Sequence, residues 1–377
     1  MQESLVPPIV GVIGGGQLAR MMIPRAIELG IELRVLAESD GMSAQLAATA
    51  VGDYRDADTV LAFARDVDVI TFDHEHVPQD VLAQLIEAGV SVHPGPAPLA
   101  IAQDKIVMRQ ELSRLGLPVP IWASVTTPAE LDTFLMDNGG RVIVKTPRGG
   151  YDGKGVRLVS SSRDVADWFE AGDPLLAEEL VSFTRELAQL AARSPSGEIS
   201  LWPLVESIQQ DGVCAEVVAP APALTAGRSD AAAEIARSVA EKFGVTGVLA
   251  VELFETSDGR LLINELAMRP HNSGHWTMDG AVTSQFEQHL RAVLDLPLGA
   301  TAARSPWTVM INVLGGPTSG TIADRYPIAF ANQPTAKFHE YGKAPRPGRK
   351  VGHVTVSGDD LDDVVYRARA AAAILKD

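Results

Sequence analysis

Two glutamates that a short hairpin would place opposite each other carry the clearest chemical signal in the sequence. Glu252 and Glu265 each lie within an apolar run, and Asp258-Gly259 between them is a favoured central pair of a tight turn. A two-residue turn there would pair positions 252 and 265 directly across the strands. Facing carboxylates repel each other in apolar surroundings, and a divalent cation removes that cost. The hairpin therefore predicts magnesium ligands, with manganese as a substitute and Asn264 as a nearby oxygen donor; two exposed glutamates on a sheet edge are the alternative.

A glycine-rich loop after a short apolar strand offers a site for phosphates. The strand at 142–144 is followed by Lys145, then by glycines at 149, 150, 153 and 155 and by Lys154. Glycine lets the backbone approach an anion closely and present its N–H groups. No helix-opening Gly-Lys-Ser/Thr follows, so the loop is not a P-loop. It predicts a hairpin flap that closes over a polyphosphate, and an ordinary hairpin with a solvated tip is the alternative.

The loop that follows the glutamate hairpin carries an arginine and a histidine. Pro270 and Gly274 predict a shaped loop at this point and not a helix. Arg269 offers a planar fork for an oxyanion, and His271 can transfer a proton near neutral pH. A structural loop whose histidine caps a backbone group is the alternative.

An acidic pair flanked by apolar residues, at 175–181, reads as a strand that enters a connector between lobes. The backbone of such a connector can read the edge of an adenine ring while apolar side chains stack on its face. Glu186, just beyond, can accept hydrogen bonds from ribose hydroxyls. An ordinary strand with a solvated turn is the alternative.

The elements that must position these residues belong to a long, acidic chain. Its 377 residues are 46% hydrophobic and 21% charged, which predicts a globular protein of two or three domains. The net charge of −16 argues against a nucleic-acid-binding surface. If such an acidic protein binds phosphate, it must concentrate its cations locally. One basic cluster in the sequence could do so, and a solvated run of charges is the alternative interpretation of that cluster. This cluster comprises Lys343, Arg346, Arg349 and Lys350.

The compartment follows from the cysteine count and from the lack of targeting segments. Cys214 is the one cysteine and cannot form an internal disulfide, which favours a reducing cytoplasm. The first residues lack the basic and apolar regions of a signal peptide, and no apolar run is long enough to span a membrane.

Strands and helices alternate in the first hundred residues. Periodicity predicts strands at 9–13, 31–36, 67–72 and 90–93, and helices at 17–29, 44–50, 59–64 and 81–88. This alternation predicts a parallel sheet covered by helices on both faces. A proline-rich break at 94–98 precedes a helix at 99–115. Paired strands with helices at 162–170 and 231–243 then indicate an α+β region.

The glycine turn at the start of the first helix allows several interpretations. Gly14-x-Gly16-x-x-Ala19 matches the dinucleotide-binding fingerprint, and Glu38 lies at about the distance of the ribose-binding acid. The turn could hold NAD, a nucleotide phosphate at the helix N-terminus, or nothing but a packing contact.

The run 73–76 ends the third predicted strand. His74 and His76 would share one face, but zinc needs three or four ligands, and His93 is the one further candidate. Because open α/β sheets bind ligands beyond the carboxyl ends of their strands, Glu75 is expected beside the glycine turn as a substrate contact.

Five stretches together resemble the ATP-grasp ligases, and among them the 5-(carboxyamino)imidazole ribonucleotide synthase family. They are GGGQLARM at 14–21, GGYDGKG at 149–155, EELV at 178–181, NELAMRPHNSGHWT at 264–277 and YGKAPRPGRKVGH at 341–353. Within the fourth stretch, RPHNSGHWT is far more specific than a glycine loop. The resemblance implies a Rossmann-like N-terminal domain at 1–104, a central ATP-grasp domain at 105–304, a small C-terminal domain at 305–377, and a homodimer.

The resemblance also implies roles for individual residues. The ATP contacts would be Lys105, Lys145, Gly150, Tyr151, Asp152, Gly153, Lys154, Gly155, Val156, Glu178, Glu179, Leu180, Val181, Glu186, Gln209, Asn264 and Glu265. The magnesium ligands would be Glu252 and Glu265. The substrate contacts would be Gly16, Gln17, Glu75, Tyr151, Arg269, Lys343 and Arg349, and the catalytic residues Asp152, Arg269, His271 and Lys343. Two departures stand out: Gln209 replaces a frequent histidine, and residues 73–76 replace a more usual Glu-x-Glu-Asn.

The implied activity is a ligase reaction. ATP would phosphorylate bicarbonate to carboxyphosphate, which breaks down to carbon dioxide, and the amine of 5-aminoimidazole ribonucleotide would attack it. The alternatives are another ATP-grasp ligase such as a formate-dependent purine transformylase, an NAD-dependent dehydrogenase, and a nucleotide-binding regulator without catalysis.

Overall fold

The computed structural model describes residues 7–150 and 154–376, and its first part is built around a parallel sheet. The elements are β1 (Ile9–Ile13), α1 (Gln17–Leu29), β2 (Glu32–Ala37), β3 (Ala48–Val51), α2 (Ala57–Ala64), β4 (Val69–Phe72) and α3 (Gln79–Glu87). The strands run parallel in the order β3-β2-β1-β4, which confirms the predicted parallel sheet. The neighbouring strands β1 and β4 end beside each other, so the glycine turn and the run 73–76 meet at one edge.

Two predicted elements of this part are wrong. The helix predicted at 44–50 is a single 3₁₀ turn, Gln45–Ala47, followed by the edge strand β3. Pairing of β3 with β2 outweighs the helix propensity of the alanines, since propensity is a weak prior where tertiary pairing is available. The strand predicted at 90–93 is reduced to one parallel bridge between Val92 and Ile70.

The single helix predicted at 99–115 is also wrong, because the chain breaks at Asp104. It forms α4 (Pro96–Gln103) and α5 (Lys105–Arg114), and the carboxylate of Asp104 accepts hydrogen bonds from the N–H groups of Ile106 and Val107. An aspartate at this position is a strong N-cap and satisfies N–H groups that the new helix leaves free. Lys105 is therefore the first residue of α5 and not an interior residue of one long helix.

A small antiparallel sheet follows. Its elements, with the helices between them, are β5 (Trp122–Val125), α6 (Pro128–Asp137), β6 (Val142–Lys145), β7 (Val156–Val159), α7 (Ala166–Glu170) and β8 (Leu175–Glu179). The strand order is β5-β8-β6-β7. The helix predicted at 162–170 is a 3₁₀ turn, Ser162–Val165, followed by α7. The strands β6 and β7 form the predicted hairpin around the glycine-rich loop.

A large antiparallel sheet spans the rest of the chain. Its elements are β9 (Phe183–Arg193), β10 (Ile199–Leu201), β11 (Val205–Gln210), β12 (Val213–Ala219), α8 (Ala226–Lys242), β13 (Gly247–Thr256), β14 (Leu261–Ala267), α9 (Thr277–Gly280), α10 (Gln285–Val293), β15 (Trp307–Leu314), α11 (Tyr326–Asn332), β16 (Lys337–Glu340), β17 (Lys350–Gly358) and α12 (Leu361–Ile374). The order is β14-β13-β9-β11-β12-β15-β17-β16, with β10 beside β9. The last strands thus extend the sheet that carries the glutamate hairpin. The helix predicted at 231–243 begins earlier, at Ala226.

Helices pack on apolar faces of the large sheet and tie it to the first part of the chain. Val239 of α8 is fully buried against the sheet, a burial that contributes roughly 1.5–3 kcal/mol. On α10, Phe286 and Leu290 pack with Leu18 and Met22 of α1 in one apolar cluster. The glycine turn and the glutamate hairpin are therefore held in a fixed relation. Within the described ranges, no helix is long and apolar enough to cross a membrane.

Candidate active site

A cavity of about 630 Å³ lies between the small and the large antiparallel sheets. Its lining brings together residues that the sequence predicted for nucleotide, metal and substrate. These are Glu75, Lys105, Lys145, Gly150, Val156, Glu178, Glu179, Leu180, Val181, Glu186, Gln209, Glu252, Asn264, Glu265, Arg269 and His271. They come from the edge of the parallel sheet, from the start of α5, and from both antiparallel sheets, so only the folded chain assembles them.

Other predicted residues do not line the cavity or lie outside the residues that the structure describes. Tyr151, Asp152 and Gly153 lie outside the described residues. Lys154 and Gly155 belong to the described flank of the glycine loop, but they are not among the lining residues. The same holds for Gly16, Gln17, Lys343 and Arg349.

Gln17 nevertheless connects Lys343 to the cavity. The amine of Lys343 donates a 2.7 Å hydrogen bond to Gln17 Oε1, and Gln17 Nε2 lies 3.4 Å from Oδ1 of Asn272, a lining residue. Arg349 instead donates to the carbonyl of Ala344 at 3.3 Å. The lining contains its neighbour Lys350, which sequence reasoning placed only in a basic cluster.

The predicted pairing of Glu252 with Glu265 is confirmed, but the turn between them is not the two-residue turn that was predicted. The N–H of Thr256 bonds to the carbonyl of Arg260, which leaves three residues in the turn, and Gly259 adopts a left-handed φ of 84°. That longer turn alone would shift the register by one residue. A bulge at Asn264 restores it, so the two glutamates face each other.

This pair fits a divalent cation. Burial and the nearby carboxylates of Glu265 and Glu186 raise the pKa of Glu252 to about 8, and burial raises the pKa of Glu186 to about 7. Carboxylates that repel each other in this way lose the penalty when a cation binds. Among the described residues no group of three or more His, Cys, Asp or Glu converges on one point. Two protein carboxylates that leave room for water and phosphate suit magnesium.

Zinc is not supported at the predicted histidines. His93 bonds to Ser91 and to Thr246, whereas the ring of His74 packs at a tilt against Tyr54 and its Nε2 lies 3.4 Å from Glu38 Oε1. His74 and His76 stack on each other and line the cavity instead of joining His93 at a common point.

Two lysines provide positive charge beside the glutamate hairpin. The amine of Lys145 lies 2.7 Å from Glu178 Oε2 and donates a 3.2 Å hydrogen bond to Asn264 Oδ1. The amine of Lys105 lies 3.8 Å from Glu265 and 3.4 Å from the carbonyl of Gly150. Both amines therefore bring positive charge close to the glutamate hairpin, and that of Lys105 also lies near the start of the glycine loop.

The ends of the glycine loop pack too closely for side chains. A Cβ on Gly150 would lie 2.5 Å from the carbonyl oxygen of Lys154. Gly155 has a φ of 70°, and a Cβ there would lie 2.4 Å from Thr146 Oγ1. The N–H of Thr146 also donates to the carbonyl of Gly155 at 2.9 Å. Glycine is therefore required at both positions for the loop to close in this way.

The connector after β8 contributes an apolar wall to the cavity. Leu180 and Val181 line it, and the rings of Phe183 and Phe254 stack there with centroids 4.6 Å apart. Such a wall suits a planar base. The side chain of Glu178 is not free to face this wall, because it bonds to Lys145 and to Arg109, a residue that sequence reasoning missed.

The Arg269–His271 loop is held on both sides by buried groups. Gln285 accepts from the N–H of His271 and donates to its carbonyl, each at 2.8 Å, and also donates to His275 Nδ1. His271 Nε2 lies 3.2 Å from Glu252 Oε1, and its Nδ1 lies 2.9 Å from Ser273 Oγ. The loop contains a 3₁₀ turn, Asn272–Gly274, and is otherwise irregular, as predicted. His271 Nδ1 also caps this turn by accepting from the N–H of Ser273 at 3.4 Å, so the capping contact of the alternative is present.

The environment of His271 favours the neutral ring. Burial, followed by the positive charges of Arg269 and Lys350, lowers the pKa of His271 well below its ordinary value. A neutral ring with its proton on Nε2 can donate to Glu252 while Nδ1 accepts from Ser273. Gln285 carries no sequence signal of this role, since it lies outside every stretch that carries the family resemblance, whereas Ser273 lies within the stretch 264–277.

The glycine turn is filled by protein carboxylates. Asp73 Oδ1 accepts from the N–H of Ala19 at 2.8 Å, and a Cβ on Gly16 would lie 2.0 Å from Asp73 Oδ2. Glu38 accepts from the N–H of Gly15 at 3.0 Å. Burial opposes ionisation of Glu38, but hydrogen bonds from His74 and Gly15 lower its pKa to about 2. A dinucleotide pyrophosphate would need the space and the N–H groups that these carboxylates occupy, so the NAD alternative is not supported.

Comparison with known families finds matches along most of the chain. The family model of the ribonucleotide synthetase preATP-grasp domain matches residues 8–103, and that of the ATP-grasp domain matches 110–286. That of the phosphoribosylaminoimidazole carboxylase C-terminal domain matches 308–367. The predicted fold class of three such domains is confirmed, while the exact limits 1–104, 105–304 and 305–377 stay predictions.

Individual proteins match over nearly the full length. The N5-carboxyaminoimidazole ribonucleotide synthase of Mycobacterium bovis is 51% identical over 377 residues, covering 98% of this chain and 88% of the relative. The Aspergillus clavatus carboxyaminoimidazole ribonucleotide synthase complexed with ATP superposes with a TM-score of 0.89 at 32% identity, covering 98% of both chains. The Aspergillus clavatus N5-carboxyaminoimidazole synthase in complex with ADP and 5-aminoimidazole ribonucleotide superposes with a TM-score of 0.88 at 31% identity, again covering 98% of both chains.

Proposed function

This chain belongs to the family of N5-carboxyaminoimidazole ribonucleotide synthases, and we propose that it activates bicarbonate as carboxyphosphate in its reaction. It carboxylates 5-aminoimidazole ribonucleotide at the expense of ATP, a step of purine biosynthesis. The observation that supports this proposal is the facing pair Glu252 and Glu265, with the amines of Lys105 and Lys145 beside it in the cavity. This arrangement suits charge neutralisation during phosphoryl transfer.

The proposed reaction has three steps. A bicarbonate oxygen takes the γ-phosphoryl group of ATP, giving carboxyphosphate and ADP. Cleavage of the bond between carbon and the bridging oxygen then gives carbon dioxide and phosphate. The exocyclic amine forms a bond to the carbon of carbon dioxide and loses a proton, leaving the carbamate. A closed site protects the two short-lived species from water.

Different residues of the cavity are proposed to bind the nucleotide, the cation and the oxyanion. We propose that the connector 178–181 binds the adenine ring, that Glu186 accepts from the ribose, and that Lys105, Lys145 and the glycine loop bind the phosphates. Magnesium bound at Glu252 and Glu265 would add charge neutralisation at the phosphates. Arg269, fixed by Glu75 at 3.2 Å, would orient the oxyanion by its planar fork. His271 would hold Glu252 in place by donating from Nε2.

The ribonucleotide is proposed to lie between the parallel sheet and the C-terminal strands. Lys343, Gln17 and Asn272 form a continuous polar contact from the C-terminal part to the cavity, which supports this placement. We also propose a homodimer, as the family resemblance implies, and a cytoplasmic location, which the single and buried Cys214 supports. Sedimentation velocity at working concentration tests the dimer.

Phosphate release tests the function. Purified chain with magnesium and ATP should release phosphate only when both bicarbonate and 5-aminoimidazole ribonucleotide are present. Replacing bicarbonate with formate tests the transformylase alternative, since only a formate-dependent enzyme would then release phosphate. The Glu252→Gln variant controls for contaminating ATPases. Release that ignores either co-substrate would contradict the proposal.

A further inference from the structure

Arg109 is a fully buried cation just outside the nucleotide cavity. It lies on α5 with no exposed surface, and within the described chain it is not among the residues that line the cavity. Its Nε donates to Glu178 Oε1, and its Nη2 donates to the backbone carbonyl of Asn264 at 2.6 Å. One side chain thus joins β8 of the small sheet to β14 of the glutamate hairpin.

Glu178 is bound by two cations at once. Arg109 holds one carboxylate oxygen, while Lys145 lies 2.7 Å from the other. Burial opposes ionisation of Glu178, yet Lys145 and Arg109 keep its pKa below the ordinary value. The group therefore consists of one carboxylate and two cations, which leaves one positive charge in excess beside the phosphate site.

Lys145 and Arg109 differ in their freedom to leave the carboxylate. Lys145 lines the cavity and sits on a flexible stem at the end of β6, whereas Arg109 is fixed by bonds to two strands. A buried carboxylate that loses its last cation is strongly destabilised. Lys145 can turn from Glu178 to a phosphate only if a second cation stays with the carboxylate.

We propose that Arg109 is a positioning residue for ATP: it retains Glu178, so that Lys145 is available to the phosphates. The inference rests on the proposed placement of ATP phosphates at Lys145. Without Arg109, Glu178 would hold Lys145, and the excess positive charge would be lost. Lysine at this position would keep the charge but could not span Glu178 and Asn264 with a planar fork.

Direct nucleotide binding tests this, with the affinity of each variant for magnesium-ATP measured by calorimetry. Arg109→Met should weaken ATP binding by about tenfold or more, while the KM for the ribonucleotide changes little. The ATP affinity of Arg109→Lys should lie between that of the wild type and that of Arg109→Met. Arg114→Met is the matched control, since Arg114 is an exposed arginine of the same helix whose partner is Glu111.

The double variant Arg109→Met, Glu178→Gln separates positioning from packing. If Glu178 captures Lys145 in the single variant, then removing its charge should restore ATP affinity to within about threefold of Glu178→Gln alone. Thermal unfolding of each variant establishes that the protein compared is folded. Unchanged ATP affinity in a folded Arg109→Met or Arg109→Lys protein would overturn the inference, as would a loss that Glu178→Gln does not relieve. Failure of the wild-type protein to bind ATP would instead contradict the proposed function.

Discussion

Glu75 holds Arg269 across the boundary between the parallel sheet and the large antiparallel sheet. Glu75 Oε2 lies 3.2 Å from Arg269 Nε, and Oε1 accepts a 2.5 Å hydrogen bond from the N–H of Met268. Both carboxylate oxygens are thus used to position the loop that follows the glutamate hairpin. The family resemblance made Glu75 a substrate contact, and that role stays a prediction beside this positioning one.

Glu75→Ala should disturb both the loop and its arginine. The N–H of Met268 loses its acceptor, which should lower the free energy of unfolding by about 1–3 kcal/mol. The carboxylation rate should fall further than this stability loss explains, because Arg269 is no longer held. Glu75→Gln keeps an acceptor and is the control; denaturant unfolding and kcat are the measurements. Equal kcat in Glu75→Ala and wild type would contradict the positioning role.

Glu252→Gln should abolish ATP turnover while the fold survives. The substitution removes a cation ligand but also removes repulsion between facing carboxylates, so the hairpin itself is not weakened. Phosphate release and thermal unfolding, measured on the same preparation, check the two halves of this prediction. Glu265→Gln should behave alike, and normal activity of either variant at low magnesium would refute the ligand assignment.

The raised pKa of Glu252 predicts a pH dependence of stability without magnesium. Because the folded pKa is about 8 and the ordinary value is 4.5, the folded state binds more protons than the unfolded state between these values. The contribution of Glu252 to the free energy of unfolding therefore falls as pH rises from about 4.5 to about 8. The melting temperature of wild type relative to Glu252→Gln should fall over this range, and a constant difference would show that the pKa is not raised.

Lys350 and Arg349 offer a comparison of adjacent cations. Lys350 lines the cavity, whereas Arg349 donates to the carbonyl of Ala344. Lys350→Ala should reduce kcat/KM for magnesium-ATP by about tenfold, since it removes a positive charge from the reacting site. Arg349→Ala should mainly raise the ribonucleotide KM, as the family resemblance implies. Steady-state kinetics with each substrate varied in turn measures both effects. A larger loss of kcat in Arg349→Ala than in Lys350→Ala would reverse the roles assigned to the two residues.

Much of this site follows from the sequence because its motifs are local. The glycine loop, the acidic connector and the glutamate pair each lie within one hairpin or strand end, where spacing fixes geometry. The pairing of Glu252 with Glu265 was predicted correctly although the turn is longer, because the bulge at Asn264 compensates. Nothing in the local pattern distinguishes that combination from a two-residue turn.

What the sequence could not give depends on contacts between distant segments. Asp73 fills the glycine turn only because β4 lies beside β1, and a dinucleotide fingerprint does not reveal this. The sequence alone would place Arg109 on the exposed face of a helix, whereas contacts with β8 and β14 bury it in the folded chain. Lys350 could not be separated from Arg349 because both lie in one basic cluster, and only the start of β17 decides which side chain reaches the cavity.

The loss expected of His271→Ala concerns the cation site. Its Nε2 supports Glu252, so kcat should fall while ribonucleotide binding is largely kept. Binding of the ribonucleotide, measured directly, and kcat at saturating substrates separate the two effects. If the variant weakens only binding and leaves kcat intact, the catalytic role of His271 is wrong.

Transfer of oxygen from bicarbonate to phosphate tests the central claim most directly. If carboxyphosphate forms, one oxygen of ¹⁸O-labelled bicarbonate ends in phosphate, because the bond from carbon to the bridging oxygen is the one that breaks. Mass spectrometry of phosphate from a rapid reaction should then show one ¹⁸O atom for each carboxylated ribonucleotide. Product that forms with unlabelled phosphate would contradict the account.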